Sequence, residues 1–278
     1  MSLIETALNK MQQSATAKGI GAPRSEGNLA TSTRKPRSPV RADAVTPTVR
    51  QFQRTEIDST VMELNCILPG IADQSALRAY KILRTRMLQR LAANQWHSVA
   101  ITGTEAGQGK TLTAINLAIA LAQDPSTHVF LVDLDLQRPQ IASYMGLKFG
   151  RGLGEYLTGD ATIDQIIYDP GIPRLAIIPN SRSFEHSSEH LAGSQMLNLL
   201  AELDAQVPRR VVIFDMPPVL MSDDVMTFAP HIDGVALVVA EGVTTRGSLE
   251  RSKEVLAEMN LIGVILNRSA ERSDSPYY

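Results

Sequence analysis

Short apolar segments alternate with segments of helical periodicity from Trp96 onwards. The apolar segments, each about the length of a strand, are SVAITG, HVFLVDLD, LAIIPN, RVVIFD, GVALVVA and LIGVILN. The helical segments between them cover residues 110–123, 188–204, 222–229 and 245–259. Strands that are apolar on both faces and separated by helices are typical of a parallel sheet with helices on both faces. The sequence therefore predicts an α/β fold with a mostly parallel sheet.

The preceding part of the chain divides into a polar stretch and a helix. Residues 1–60 are rich in Ser, Thr, Pro, Ala and Arg, which predicts a largely disordered linker. At its start, the spacing of Ser2 and Glu5 and an apolar face predict a short helix, either transient or docked on a partner. A second apolar stripe predicts a helix at 72–94. The predicted organisation is a linker at 1–60, a folded domain at 61–268 and a flexible tyrosine-bearing tail at 269–278.

The composition argues against several classes of protein. The net charge of −2 gives no overall basic field for nucleic acid, and no apolar run approaches the roughly 20 residues that cross a bilayer. Cys66 is the single cysteine, so no internal disulfide can form, and the N-terminus lacks the apolar middle of a signal peptide. We therefore expect a cytoplasmic protein with no nucleic-acid partner.

A glycine-rich loop joins the first strand of the series to a helix. The strand VAIT runs into GTEAGQGKT, in which glycines let the backbone N–H groups point inward. The amino end of the next helix adds positive potential, Lys110 can reach the β- and γ-phosphates, and the Thr111 hydroxyl can ligate Mg²⁺. The combination predicts a fold of the P-loop NTPase type. The predicted nucleotide-binding residues of the loop are Gly103, Glu105, Ala106, Gly107, Gln108, Gly109, Lys110, Thr111 and Leu112.

Three carboxylates follow apolar strands. Asp133 ends HVFLVD, Asp135 lies two residues further on, and Asp215 ends RVVIFD. The carboxyl ends of parallel strands face the crevice in which such sheets bind ligands, and a divalent cation relieves the repulsion between neighbouring acids. Solvated loop carboxylates are the alternative for the first two, but beside Gly-Lys-Thr we interpret them as metal-site residues. Asn267 ends the last strand and would either read a base edge or cap a turn.

These motifs together resemble a known family. TEAGQGKT, LVDLDLQRP, VIFDMPPVL, DGVALVVAEGVTTR and GVILNR occur in the order found in the cytoplasmic kinase domain of bacterial tyrosine kinases, P-loop enzymes of capsule and exopolysaccharide synthesis. The resemblance covers the chain from about Ala72 to Tyr278. It implies a protein-tyrosine kinase that uses ATP and Mg²⁺.

The resemblance also implies roles for the matching residues around the nucleotide. Asn267 would lie near the adenine, and one of the two neighbouring acids would assist deprotonation of the incoming tyrosine. The implied catalytic residues are Lys110, Asp133 and Asp135. The implied metal-binding residues are Thr111, Asp133 and Asp215.

Partners follow from the same resemblance. The family phosphorylates a tyrosine cluster at its own C-terminus in a neighbouring subunit, so Tyr277 and Tyr278 are the expected acceptors and self-association is expected. The start SLIETALNKM resembles the subgroup that is made as a separate soluble subunit beside a membrane chain-length regulator. We therefore expect a cytoplasmic protein, peripheral at the inner membrane through a membrane-bound regulator that activates it, with a cognate phosphatase as a further partner.

The sequence departs from the family pattern at three places. Gln137 stands where the family's second Walker motif often has Arg. In the helix predicted at 72–94, Arg78 replaces the acid of a Glu-x-x-Arg-x-x-Arg motif whose other positions hold Lys81 and Arg84, so the usual ion pair between subunits cannot form. The tyrosine cluster is reduced to the last two residues.

The expected function is an autokinase that regulates exopolysaccharide or capsule polymerisation and export. Two alternatives to it are considered. Partitioning and division-site ATPase switches of the same P-loop branch carry a lysine early in the loop, where this chain has Glu105. A nucleotide-gated regulator of polymer length that is not a kinase would keep Lys110 and the aspartates without using them for phosphoryl transfer.

Overall fold

The computed structural model describes residues 52–68, 70–71, 73–206 and 209–269. The predicted N-terminal helix, the linker up to residue 51, and Tyr277 and Tyr278 lie outside these described residues. What the sequence predicts for them therefore stays a prediction.

Strands of the described chain form a single sheet. They are β1 (Gln53–Arg54), β2 (Ser98–Gly103), β3 (His128–Asp133), β4 (Tyr168–Asp169), β5 (Leu175–Ile178), β6 (Arg210–Asp215), β7 (Gly234–Ala240) and β8 (Leu261–Asn267). Their order is β1-β4-β5-β3-β6-β2-β7-β8. Neighbouring strands are parallel except for β4 and β5, which are antiparallel. The prediction of a mostly parallel sheet is confirmed.

Helices connect these strands. They are α1 (Ser59–Leu64), α2 (Gln74–Asn94), α3 (Lys110–Ala122), α4 (Ile141–Met145), α5 (Leu153–Leu157), α6 (Ser187–Leu191), α7 (Ser194–Gln206), α8 (Asp224–Phe228) and α9 (Arg246–Val255), with 3₁₀ turns at Ile163–Gln165 and Ala229–His231. Within the described ranges, no helix has both the length and the apolar character that a membrane span requires.

Side chains of the central strands alternate between two apolar cores, one on each face of the sheet. In β3, Val129 and Leu131 belong to the core covered by α1 to α4, whereas Phe130 and Val132 belong to the core covered by α5 to α9. Burying one such side chain contributes about 1.5–3 kcal/mol, so both faces of the sheet are strongly held. The prediction of helices on both faces is confirmed.

The structure corrects the bounds of several predicted elements. The helix predicted at 188–204 is two helices, α6 and α7, with Gly193 between them. Strand β3 ends at Asp133, so the last two residues of the apolar segment HVFLVDLD lie beyond the strand, and the Asp133 carboxylate accepts hydrogen bonds from the N–H groups of Gln140 and Ile141. Strand β5 likewise ends two residues before the end of LAIIPN.

Ordered structure begins before residue 61, inside the range predicted as linker. Strand β1 pairs with β4, and the Thr55 N–H donates to the Asp169 carbonyl at 3.0 Å. The ring of Phe52 packs edge-on against Phe130, with ring centroids 5.9 Å apart. Residues 52–60 therefore belong to the folded domain, although their composition predicts a linker.

Candidate functional site

The glycine-rich loop leads directly from β2 into α3. Gly107 and Gly109 have φ angles of 77° and 87°, in the left-handed region that side chains disfavour, so glycine lets the loop curl without strain. Helix α3 begins at Lys110, which places the positive end of its dipole beside the loop. The loop is therefore shaped to receive an anionic group.

Gln108 is a buried brace of this loop. Its side-chain oxygen accepts hydrogen bonds from the N–H groups of Thr104 at 2.8 Å and Glu105 at 3.3 Å. Its side-chain nitrogen donates to the hydroxyl of Thr244, which follows β7, at 2.9 Å. Because the side chain is only 1% exposed, Gln108 fixes the shape of the loop, and it would meet a nucleotide through its backbone.

Lys110 and two aspartates form a buried ion cluster beside the loop. The Lys110 Nζ lies 2.7 Å from Asp135 Oδ2 and 3.9 Å from Asp215 Oδ1. Burial alone would lower the pKa of Lys110, but the attraction of Asp215 and Asp135 outweighs burial and raises it. Lys110 is thus a cation held at the amino end of α3. The Thr111 hydroxyl lies 3.4 Å from the same Nζ, so it belongs to this cluster.

Asp133 and Asp215 lie side by side because they are partners in the parallel pairing of β3 and β6. Both side chains are 0% exposed. Burial and the repulsion from Asp215 raise the pKa of Asp133, and burial raises the pKa of Asp215 to about 6. Two adjacent buried acids of this kind are stabilised by a cation placed between or beside them.

The oxygen atoms of this pair fit a Mg²⁺ ion. Within the described part of the chain, Asp133 Oδ1 and both carboxylate oxygens of Asp215 have no hydrogen-bond partner, which is costly for buried oxygens. The same residues include no group of three or more His, Cys, Asp or Glu side chains that would hold a metal alone. Mg²⁺ takes one or two carboxylates together with waters and substrate phosphates, so a nucleotide would complete its coordination here.

Asp135 differs from this pair because both of its oxygens have partners. Its Oδ2 contacts Lys110, and its Oδ1 accepts a hydrogen bond from the Arg138 N–H at 3.0 Å. The turn from Asp135 to Arg138 therefore holds the carboxylate in one orientation next to the lysine.

A polar cluster beyond Asp135 is absent from the sequence-based predictions. Gln137 Nε2 donates to the hydroxyls of Ser187 at 3.1 Å and Ser222 at 3.3 Å, and Ser187 donates to Asp224 Oδ1 at 2.8 Å. Burial raises the pKa of Asp224, whose Oδ2 has no hydrogen-bond partner among the described residues. The cluster connects the turn after Asp135 to α6 and α8. Gln137, which stands where the family often has Arg, therefore has a structural role.

The end of β8 contacts the glycine-rich loop. The Asn267 amide nitrogen donates to the Gln108 carbonyl at 2.9 Å, and the Arg268 guanidinium donates to the Gly107 carbonyl at 2.8 Å. Asn267 is thus close to the predicted nucleotide site, with its amide nitrogen already bonded to the loop. Its predicted place near the adenine stays a prediction.

Glu105 occupies the loop position where partitioning ATPases carry lysine. A residue of α9 holds its side chain. Its Oε1 accepts a hydrogen bond from the Ser248 hydroxyl at 2.6 Å, and Ser248 is itself buried. The Thr245 side chain caps the same helix by accepting from the Ser248 N–H at 3.0 Å. The position therefore presents an anchored acid rather than a free cation.

Comparison with known proteins identifies the family. Residues 99–276 match the CobQ/CobB/MinD/ParA nucleotide binding domain. The tyrosine-protein kinase YwqD of Bacillus subtilis (strain 168) is 30% identical over 203 residues, which cover 72% of this chain and 84% of that protein. The chain belongs to the bacterial tyrosine-protein kinases. The resemblance inferred from the motifs, and with it the kinase class, is confirmed.

Two further members of the bacterial tyrosine-protein kinases show how the chain relates to longer proteins and to solved structures. The tyrosine-protein kinase ptk of Acinetobacter johnsonii is 30% identical over 211 residues, which cover 74% of this chain but 28% of that protein. The solved kinase domain of Escherichia coli tyrosine kinase ETK is 25% identical, with a TM-score of 0.66 over 77% of this chain and 84% of that chain. The P-loop fold predicted from the sequence is confirmed.

The structure brings most of the predicted site residues of this bacterial tyrosine kinase to one end of the sheet. The glycine-rich loop and Lys110 follow the carboxyl end of β2. Asp133 and Asp215 end β3 and β6, Asp135 follows β3, and Asn267 ends β8. Their roles in binding and catalysis stay predictions. The predicted acceptors Tyr277 and Tyr278 lie outside the described residues.

Proposed function

We propose that this chain is an ATP-dependent protein-tyrosine autokinase that phosphorylates Tyr277 and Tyr278 of a neighbouring copy. The observation that carries the proposal is the buried cluster in which Lys110 contacts Asp135 and Asp215 at the mouth of a glycine-rich loop. A lysine beside a phosphate cradle and carboxylates that fit Mg²⁺ are what phosphoryl transfer requires, because catalysis there rests on positioning and charge neutralisation.

In the proposed reaction, the loop N–H groups and Lys110 bind the phosphates of ATP. Thr111, Asp133 and Asp215 hold Mg²⁺, which neutralises charge on the transferred phosphoryl group when bound. The tyrosine oxygen forms a bond to the γ-phosphorus while the bond from that phosphorus to the ADP oxygen breaks. The phenol proton, with an unperturbed pKa near 10, passes to the carboxylate of Asp133 or Asp135.

Trans phosphorylation is compatible with the length of the tail. Residues 269–278 extend at most about 33–36 Å, which is enough to leave one domain and enter a neighbour's crevice. Since Arg78 replaces the acid of the family's assembly motif, we propose that copies associate through contacts other than that ion pair.

We further propose that a membrane-bound chain-length regulator activates the kinase at the inner membrane, and that the pair acts in exopolysaccharide or capsule synthesis. The start SLIETALNKM, which resembles that of kinases made as a separate subunit beside such a regulator, supports this proposal. A cognate phosphatase would reverse the modification.

The test is mass spectrometry of the C-terminal peptide after incubation with ATP and Mg²⁺. We expect phosphate on Tyr277 or Tyr278, and a loss of about 100- to 1000-fold in rate for Lys110→Met, which lacks the cation that binds the phosphates. Mixing Lys110→Met, as acceptor, with the active Tyr277→Phe/Tyr278→Phe chain should label the Lys110→Met tail if transfer occurs between copies. ATP turnover with no labelled tail, even with the activating partner present, would contradict the proposal.

The alternatives predict different results. A partitioning-type switch is disfavoured because Glu105 is anchored to Ser248 where such switches carry a lysine. For a non-kinase regulator, Lys110→Ala would alter polymer length in cells, whereas Tyr277→Phe/Tyr278→Phe would not. For the autokinase, both variants should alter it.

A further inference from the structure

Helix α2 concentrates the positive charge of the chain. Its 21 residues, QSALRAYKILRTRMLQRLAAN, include five Lys or Arg and no Asp or Glu. With −2 for the whole chain and +5 on α2, the rest of the chain carries −7. At 1.5 Å per residue, these five bases are spread over a rod of about 31 Å.

The bases lie on the side of α2 that faces away from the domain. Met87 and Leu91 are buried in the core that α2 shares with α3. Four bases on the opposite side are exposed, and we call them the basic face of α2: Arg78, Lys81, Arg86 and Arg90. Ile82, in the middle of this exposed side, is 46% exposed. The outer surface of α2 is therefore cationic with an apolar side chain at its centre.

The basic face has no counter-charge within the part of the chain that the structure describes. None of its four bases forms an ion pair with a carboxylate of those residues. Arg84, at the margin of the face, donates to the neutral side chain of Gln123 at 3.1 Å. A helix face that is merely solvated commonly mixes charges of both signs, so a face of one sign points to an anionic occupant.

We propose that the basic face of α2 docks this protein on a membrane surface that contains anionic lipids. Four or more Lys and Arg on a helix suit anionic headgroups, which need only cations and impose no fixed register. Ile82 can enter the boundary between headgroups and acyl chains. A shallow depression on this face is lined by residues of α2 alone, so among the described residues no second element forms a wall against which an acidic peptide would lie.

This inference goes beyond the proposed function, in which a partner protein brings the kinase to the membrane. It concerns a helix face outside the cluster of Lys110, Asp135 and Asp215, and its test uses no ATP. Failure of the kinase assay and failure of lipid binding are therefore separate results.

The experiment is co-sedimentation of the full chain with vesicles of phosphatidylcholine, alone or mixed with phosphatidylglycerol. We expect binding to the mixed vesicles only, and release at high salt because screening shortens the reach of exposed charges. The variant Arg78→Gln/Lys81→Gln/Arg86→Gln keeps a good helix former at each position and should bind the mixed vesicles about 100-fold more weakly.

A matched control removes three exposed bases elsewhere, as Lys148→Gln/Arg251→Gln/Lys253→Gln. It should bind like the unmodified chain. If the α2 triple variant melts earlier than the unmodified chain, the single variants Arg78→Gln and Arg86→Gln should each weaken binding about 5-fold.

Equal binding by the α2 variant and the unmodified chain, or equal binding to neutral vesicles, would overturn the proposal. So would a control that weakens binding as much as the α2 variant, because net charge alone would then explain the effect. Another outcome is that the α2 variant binds vesicles like the unmodified chain but has a different mass in sedimentation velocity without lipid. In that case the basic face joins copies of the chain instead.

Discussion

Lys110 and Asp215 lie in one ion cluster, yet their replacement is expected to change stability in opposite directions. Lys110→Met leaves Asp135 and Asp215 buried without their counter-charge, which should lower the free energy of unfolding by about 3 kcal/mol. Asp215→Asn removes a buried acid whose pKa is raised to about 6, which should increase the free energy of unfolding by about 1–3 kcal/mol. Urea denaturation of the nucleotide-free protein at neutral pH measures both changes.

The pH dependence of the Asp215→Asn effect follows from the sign of the pKa shift. The folded-state pKa of Asp215 lies above its ordinary value of 3.8, so the unfolded chain ionises this group first as pH rises. The ionised Asp215 carboxylate lowers the free energy of unfolding. This destabilisation is absent below about pH 4, grows up to about pH 6 and is constant above that. The gain from Asp215→Asn should grow over the same range. If Asp215→Asn increases the free energy of unfolding equally at all pH values, burial of the carboxylate is not the cause.

Residues of the site could be predicted where the chemistry is local in sequence. Gly107, Gly109, Lys110 and Thr111 lie within one short motif, Asp133 and Asp215 end apolar strands, and Asp135 lies two residues after Asp133, so spacing alone locates them. The hydrogen bonds from Gln137 to Ser187, and from Ser187 to Asp224, join residues 50 and 37 positions apart. Contacts between residues so far apart in the chain leave no short motif in the sequence. The bond from Asn267 to the loop spans 159 positions and escapes prediction for the same reason.

At the scale of the element, the two central glycines of the glycine-rich loop differ in how well they should tolerate a side chain. Both have positive φ, but a Cβ on Gly107 would meet nothing within 4 Å, whereas a Cβ on Gly109 would overlap the Asn267 amide nitrogen. Gly107→Ala should therefore cost only the strain of a left-handed alanine, about 1 kcal/mol. Gly109→Ala should cost about 1–2 kcal/mol more, because it also displaces Asn267 from the Gln108 carbonyl.

Thermal unfolding of the two alanine variants, with and without ATP and Mg²⁺, checks this prediction. Gly109→Ala should have the lower melting temperature and the weaker stabilisation by nucleotide. Adding Asn267→Ala should recover the part of the loss that comes from the overlap, but not the backbone strain. Equal melting temperatures for the two single variants would show that β8 does not brace the loop.

Elements of the fold could be predicted where they are long enough to show a period. The six strands of four to seven residues, and helices α2, α3, α7 and α9, appear in the sequence as apolar runs or stripes. Strands β1 and β4 have two residues each and helices α4 and α5 have five, and none of these four elements shows a period in the sequence. These short elements are held by tertiary contacts, such as the pairing of Gln53 with Tyr168.

On the scale of the whole molecule, the sheet decides where the domain begins. Strand β1 lies at one edge of the sheet, next to β4 and far from β2 in the strand order. The Asp58 side chain caps α1, and the Asp58 N–H donates to the Met145 carbonyl at 3.2 Å, which joins this segment to α4. A domain boundary placed at residue 60 would cut through these contacts.

Two truncated chains test where the domain begins, one starting at Val49 and the other at Val61. The chain from Val61 lacks the packing of Phe52 on Phe130, the β1–β4 pairing and the Asp58 cap, and should be less stable by about 3 kcal/mol or more. Within the chain from Val49, Phe52→Ala should reproduce about half of that loss, since this ring fills an apolar site. Gln53→Ala is the matched control, because the exposed Gln53 side chain adds little to the core. Urea denaturation midpoints compare all four chains, and coincident midpoints for the two truncations would place the start of the stable domain after β1.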